Sequence, residues 1–257
     1  MRISVVTPSF NQAQFIERTI RSVLDQDYPD VEHIVVDGGS TDGTLDILRR
    51  YSGRIAWISE KDRGQTHAIN KGLSMATGEI VAWLNSDDTY EPGAHSLVAR
   101  HFADNPDCLW TYGKCRIINE ADGEIRPFIT WYKNLLLAKF DFAKLLAENF
   151  ISQPAVFWRR QLLDEVGFLS EQEYFCMDYD YWLRIGSRYP AGVIDAYLAN
   201  FRFHRASKSG SVNKKQFEDE LRLARAFRKE HPIAILLHTA NYFKIVSAYK
   251  LMEALGK

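Results

Sequence analysis

"AWLNSDDTY" (82–90) begins as a buried strand and ends on two adjacent carboxylates. Ala82, Trp83 and Leu84 read as core, and Asp87 and Asp88 then repel each other where the apolar run stops. Asn, Ser and Asp are ordinary turn formers, so a turn alone would account for an isolated Asn-Ser-Asp-Asp. The other reading is that a cation sits between the carboxylates and a ligand. The segments on either side decide what kind of strand this is.

Upstream, strands and helices alternate. "ISVVTPSF" (3–10), "EHIVVDGG" (32–39), "IAWISE" (55–60) and "EIVAWLN" (79–85) are near-continuous apolar runs. Between the first two, Ile16, Ile20, Val23 and Leu24 recur at helical spacing, with Asn11 as the expected N-cap and Pro29 as the stop. "STDGT" opens a second helix with Leu45, Leu48 and Tyr51 inward. A third runs from Thr66 to Ala76, and Gly78 suits its end. Strands apolar on both faces, alternating with amphipathic helices, specify an α/β fold with a mostly parallel sheet flanked by helices. In such sheets ligands bind beyond the carboxyl ends of the strands.

The second half changes character. "LWTYGKCRIIN" (109–119) and "GEIRPFI" (123–129) flank "EAD" as an expected hairpin. "QPAVFWRR" (153–160) reads as a strand, "DYDYWLRIGSRY" (178–189) as a helix with Tyr181, Trp182 and Ile185 inward, and "GVIDAYLANFRFH" (192–204) as a last strand. The basic stretch 206–216, carrying Lys208, Lys214 and Lys215, is expected to be a mobile loop that could close over a phosphate group. Two helices follow, near 217–230 and 233–255. In the second, Ile235, Tyr242, Ile245, Val246, Tyr249 and Met252 share a face suited to docking on the body, on a sister subunit, or shallowly on a membrane.

The 257 residues, 46% hydrophobic, are enough for one large core. A net charge of −1 gives no broad nucleic-acid footprint. Cys108, Cys115 and Cys176 are odd in number and form no Cys-x-x-Cys pair, which argues against a disulfide framework and a cysteine zinc site. Met1-Arg2 runs straight into a strand, so no signal peptide is expected, and no apolar run reaches membrane-span length. The expected location is cytoplasmic, with the inner face of the membrane as a variant of it.

Asp37 closes the second strand, Glu60 and Asp62 lie past the third, and Asp87 and Asp88 past the fourth. Each alone suits a turn or a helix cap. Together they form an acidic rim at the ligand edge, which a cation or sugar hydroxyls would answer. No Gly-x-Gly-x-x-Gly and no Gly-Lys-Ser/Thr loop follows the first strand, which disfavours dinucleotide-binding oxidoreductases and P-loop NTPases.

Residues 5–44, "VVTPSFNQAQFIERTIRSVLDQDYPDVEHIVVDGGSTDGT", together with "KDRGQTHAINKGLSMATGEIVAWLNSDD" (61–88), resemble an inverting family 2 glycosyltransferase of the GT-A fold. "ISQPAVFWRR" and "MDYDYWLR" are similar to that family's acceptor half. The resemblance covers about residues 1–205 and implies a nucleotide-sugar half (1–108), an acceptor half (109–205) and a C-terminal helical appendage (217–257). It implies that Thr7, Pro8 and Phe10 lie against the nucleotide base, that Asp37 bonds uracil, and that Asp62, Asn70 and Lys71 line the donor pocket. Asp87 and Asp88 stand in for an Asp-x-Asp motif, Asp87 toward ribose or sugar and Asp88 toward Mn²⁺ or Mg²⁺, with His204 as a further metal or diphosphate ligand.

Literal Asp-x-Asp occurs at 25–27, at a helix end away from the rim, and at 178–180, where Asp178 matches the family's general base. Met177 stands where the family has Glu. The N-cap of the following helix is the structural alternative for Asp178, and Asp180 reads as structural. The implied reaction moves a sugar from a nucleotide-diphosphate donor, a UDP-sugar first, to a saccharide or lipid-linked acceptor in cell-surface polysaccharide synthesis. A nucleotidyltransferase and a non-catalytic sugar-nucleotide-binding protein are the alternatives. A homodimer or peripheral membrane contact through the C-terminal helix is the further partner expected.

Overall fold

The computed structural model of the chain describes residues 1–204, Ser207 and 214–254, with side chains in the last stretch described for 215–247. Its first four strands are β1 (Ile3–Ser9), β2 (Val31–Asp37), β3 (Ala56–Ser59) and β4 (Ile80–Trp83). They pair in parallel in the order β3-β2-β1-β4. Every residue of β1 and β4 is buried, as a sheet covered on both faces requires. The crossovers are α1 (Ile16–Leu24), α2 (Thr44–Arg50) and α3 (Gln65–Met75). Register places Ser9 beside Asp37 and Asp37 beside Ser59, so the strand ends form one edge.

Close packing dictates two glycines. A Cβ on Gly72 would lie 2.3 Å from Val6 Cγ1, so α3 reaches β1 only because that side chain is missing. A Cβ on Gly78 would lie 2.7 Å from the Arg2 carbonyl oxygen. Gly78 thus serves a backbone approach rather than the helix stop, which falls at Ala76. Asn11 is not the N-cap of α1. Phe15 holds that position, while Asn11 adopts φ 52° and ties two loops together. Its N–H donates to Ser40 Oγ at 2.7 Å, and its Oδ1 accepts from the Thr41 N–H at 2.9 Å.

The sheet continues through β6 (Trp110–Ile118), β7 (Val156–Arg159), β8 (Gly192–Arg202) and the short β5 (Thr89–Tyr90), in the full order β3-β2-β1-β4-β7-β6-β8-β5. β7 runs antiparallel to β4 and β6, whereas β8 runs parallel to β6. Around it lie α4 (Ala94–Asp104), α5 (Pro127–Leu136), α6 (Phe142–Ala147), α7 (Leu162–Val166), α8 (Met177–Gly186), α9 (Lys214–Arg225) and α10 (Pro232–Ala254).

The expected hairpin partner at 123–129 does not form a strand. A single bridge joins Ile118 to Glu124, and Pro127 then opens α5. Proline has no N–H for a ladder and a φ suited to the first helical turn, so the chain turns helical there.

Four buried tryptophans fix the second half onto the first. Trp182 of α8 stacks on Trp83 of β4, ring centroids 5.5 Å apart, and on Trp110 of β6 at 6.0 Å. Trp158 of β7 meets Trp83 edge-on at 5.5 Å. Aromatic pairs at these separations add about 0.5–1.5 kcal/mol each beyond their buried area. They hold the N-terminal turn of α8 in place across the sheet.

α10 docks on the body through the expected face: Ile235 and Val246 are buried, and His238 Nδ1 lies 2.7 Å from the Leu146 carbonyl oxygen. The side chains of Tyr249 and Met252, and the expected loop over 206–216 apart from Ser207 and 214–216, lie outside the described residues.

Candidate active site

Asp37 is fully buried at the end of β2. Its Oδ2 accepts from the N–H groups of Gly39 (3.0 Å) and Ser40 (2.9 Å) and from Ser59 Oγ (2.6 Å), and its Oδ1 accepts from Ser40 Oγ. A carboxylate has about four lone-pair directions, so Oδ1 keeps one for a further donor. Asp62 lies beside this turn: its Oδ1 accepts from the Gly64 N–H at 2.8 Å, at the start of α3. Of the three β1-end residues, Phe10 alone is exposed, at 60%. Pro8 is buried, and the buried Thr7 hydroxyl lies 2.9 Å from His33 Nε2. Asn70 is committed to a reciprocal pair with the backbone of Leu169, and Lys71 to an ion pair with Glu60.

Asp87 and Asp88 occupy different environments. Asp88 is wholly buried. Its Oδ1 accepts from the Arg202 N–H at 2.8 Å and its Oδ2 from Asn85 Nδ2 at 3.1 Å. Burial, and then the charge of Asp87, push its carboxyl well above the usual carboxylate range. Asp87 retains 17% side-chain exposure, and its Oδ2 lies 2.9 Å from His204 Nε2. The pair that meets is therefore Asp87 with His204, while Asp88 faces inward behind them. His204 also borders an open cavity of about 370 Å³, bounded with it by Asn119, Glu120, Ala121 and Phe203.

Arg202, absent from the expected set, binds this turn to β8. Its buried guanidinium donates from Nε to the Asp87 carbonyl oxygen (2.7 Å) and from Nη1 to that of Asn119 (2.6 Å), and pairs with Asp122 at 2.5 Å. The signal in the sequence was a charged residue inside an apolar strand, "NFRFH".

The opposite wall is the first turn of α8. The N-cap is Cys176, not Asp178; Asp178 sits in the first helical turn and accepts the Tyr179 N–H at 2.8 Å. Met177, in the place of the expected Glu, accepts from Thr66 Oγ1 at 2.8 Å. Gln65, beside Thr66, donates to Asn85 at 2.8 Å. A chain of contacts thus runs from Asp88 through Asn85 and the start of α3 to the start of α8. Glu220 of α9 approaches this turn, accepting from Asn149 Nδ2 at 3.3 Å. Burial first, then the Asp178 charge, raise its carboxyl to about 7. Asp180 is spent on Arg184 at 2.9 Å.

Among the described residues no group of three or more His, Cys, Asp or Glu could hold a metal ion. Asp87 and His204 supply a carboxylate oxygen and an imidazole nitrogen at one edge, a donor pair that could hold Mg²⁺ or Mn²⁺ only with ligands from outside this set.

Strand-end carboxylates on a largely parallel sheet, continued by an antiparallel β7 and flanked by helices, are the architecture of the GT-A fold. Residues 4–167 match Glycosyl transferase family 2, and the chain belongs to that family. It is 45% identical over 94 residues to the putative teichuronic acid biosynthesis glycosyltransferase TuaG of Bacillus subtilis, covering 35% of this chain and 37% of that one. Two solved structures share the fold. TarS 1–349 of S. aureus in complex with UDP-GlcNAc has a TM-score of 0.63 at 19% identity, covering 88% of this chain and 66% of that one. The mannosyltransferase PcManGT of Pyrobaculum calidifontis, in complex with GDP-Man and Mn²⁺, has a TM-score of 0.64 at 21% identity, covering 96% and 75%. The chain matches uncharacterized glycosyltransferases of Rickettsia conorii and Rickettsia felis over 96% of its own length and spans 43% of theirs.

Proposed function

We propose that this glycosyltransferase transfers a sugar, with inversion, from a UDP-sugar to a hydroxyl of a saccharide or lipid-linked acceptor in cell-surface polysaccharide synthesis. The observation that carries the reading is the Asp87–His204 pair at the sheet edge, 2.9 Å apart, with the acidic start of α8 on the other wall. The UDP-GlcNAc held by TarS and the teichuronic acid role named for TuaG support the donor and acceptor classes.

In this reading Phe10 lies against the base, and the remaining acceptor position of Asp37 takes the uracil N–H. The Asn85–Asp88 turn, pinned by Arg202, presents Asp87 and His204 to the diphosphate, where they would hold Mn²⁺ or Mg²⁺. When bound, that ion neutralises charge developing on the leaving diphosphate. Asp178 removes the acceptor proton as its oxygen attacks C1 from the face opposite the diphosphate, a contribution of about 10²–10⁴-fold. The start of α3, bonded to both walls, keeps the two substrates in line.

The test is release of UDP from a panel of UDP-sugars, with and without a polysaccharide acceptor, and NMR of the product anomer. Acceptor-stimulated UDP release with an inverted anomeric centre is the expected outcome. Release of pyrophosphate from a nucleoside triphosphate and sugar phosphate would instead make the protein a nucleotidyltransferase. Binding of UDP-sugar without turnover on any acceptor would make it a binding protein.

A further inference from the structure

α5 is built inside out. Its buried position is Thr130, Asn134 donates inward to Tyr197 Oη at 3.1 Å, and Lys133 is half-buried. The side turned to solvent carries Phe128, Trp131 and Leu135, which are 72%, 57% and 60% exposed. A surface helix ordinarily turns its apolar stripe to the core and its polar residues to water. Exposed apolar side chains this large, contiguous on one helix, mark a surface that is covered in use.

Two observations identify the cover. The first is charge. Of the basic residues in 126–144, Lys133 turns inward toward Glu220 and Lys144 donates to the Leu136 carbonyl oxygen, which leaves Arg126 and Lys139 exposed near the two ends of α5. Arg126 and Lys139 flank α5 with no carboxylate partner among the described residues. The second is continuity with α10. Tyr132 Oη donates to Glu148 at 2.8 Å, and Asn241 Nδ2 donates to the adjacent Ala147 carbonyl oxygen at 3.3 Å. The two helices therefore border the same end of α6. Aromatic residues with an apolar body and a polar edge, rimmed by cations, suit the headgroup boundary of a bilayer. No helix among the described residues is long and apolar enough to cross one.

We propose that the outward face of α5, through Phe128, Trp131 and Leu135, docks this protein on an anionic lipid surface. Arg126 and Lys139 meet the headgroups and the three side chains enter the boundary region. The polar side of α5 meanwhile stays against β6 and β8. The proposal stands on this face and does not depend on the sugar-transfer reading, since lipid binding is measured without turnover.

The experiment is flotation of the full chain with vesicles of phosphatidylcholine alone or mixed with phosphatidylglycerol. The protein should float with the anionic vesicles, less so as salt is raised, and its tryptophan emission should shift to the blue. Trp131 is the one exposed tryptophan; Trp83, Trp110, Trp158 and Trp182 are fully buried and Trp57 is half-buried. The triple variant Phe128→Ser, Trp131→Ser, Leu135→Ser removes side chains already in solvent and should keep its near-ultraviolet circular dichroism. Its vesicle affinity should fall by about tenfold or more. Absence of wild-type binding, or equal binding by the variant, overturns the proposal. So does a wild-type dimer in light scattering that the triple variant dissociates, because the face would then be a protein interface.

Discussion

His204 Nε2 lies 2.9 Å from Asp87 Oδ2, although 117 residues separate them in the chain. The Arg202 N–H, two residues before the histidine, closes the same loop onto Asp88. The end of β8 and the turn after β4 are one structural unit, with one carboxylate turned outward and one inward. The two aspartates should therefore fail differently when changed.

Asp87→Asn and His204→Ala should each abolish the dependence of UDP binding on Mn²⁺; Asp87→Asn should leave the melting temperature close to wild type, and His204→Ala should lower it, because His204 is buried against Phe15. Calorimetric titration of UDP with Mn²⁺ and with EDTA measures this. A variant whose affinity responds to Mn²⁺ as the wild type does would remove that residue from the ion.

Asp88→Ala should act on stability. It strips the acceptor from the buried Arg202 N–H and from Asn85, and a buried donor left without a partner costs about 1–3 kcal/mol. Denaturant unfolding should show that loss before any donor is added. Full stability with lost Mn²⁺ response would instead make Asp88 the ion's ligand, as the Asp-x-Asp resemblance suggests.

How far the site was legible follows from these pairings. β1 to β4 were readable because each is a short apolar run whose signal is local, and parallel crossovers then placed Asp37, Asp62, Asp87 and Asp88 at one edge. Which aspartate faces outward was not readable, because β8 decides it from more than a hundred residues away. Glu220 was invisible for the same reason: it reaches the start of α8 from α9, outside the stretch that resembles the family. The strand expected at "GEIRPFI" (123–129) runs into the first turn of α5: Ile125, Phe128 and Ile129 suit a strand, whereas Pro127 opens a helix whose orientation local pattern cannot give.

Asp37→Ala should weaken uridine as well as UDP and also lower the melting temperature, since Gly39, Ser40 and Ser59 all donate to that carboxylate. Uridine and UDP titrations separate the roles. Weaker UDP binding with uridine unchanged would place Asp37 away from the base.

His95 offers a pH signature. It is buried between Tyr90 and Phe157, and burial, opposed weakly by Asp27, lowers its pKa to about 4. Its unfolded value is near 6.5, so between those limits the unfolded chain binds a proton that the folded chain does not. Its contribution is full above 6.5 and is lost as pH falls toward 4. Relative to wild type, His95→Leu should gain about 1.4 kcal/mol per pH unit across that window. A stability difference between the two proteins that is flat from pH 7 to 4 would show that His95 is not held neutral.

Asp178 and Glu220 provide the sharpest test, because in the proposed reaction Asp178 is the base and Glu220 is the carboxyl beside it. Asp178 lies in the first turn of α8 and not at its N-cap, so Asp178→Asn weakens a helix-dipole interaction of about 0.3–1 kcal/mol and keeps an acceptor for the Tyr179 N–H. Turnover should fall by about 10²-fold or more with UDP affinity nearly unchanged. Glu220, raised to about 7, holds a proton below that pH. As pH rises through 7 it becomes a second negative charge beside Asp178, making Asp178 the stronger base, so kcat should climb across that range. Lys133 faces the same carboxyl and opposes the shift, while Cys176 and Tyr179 stay neutral beside it. Glu220→Gln should remove the climb and leave kcat flat through pH 7 while UDP binding is retained. A Gln variant with the wild-type profile would uncouple Glu220 from the base, and near-normal kcat in Asp178→Asn would remove Asp178 from the chemistry.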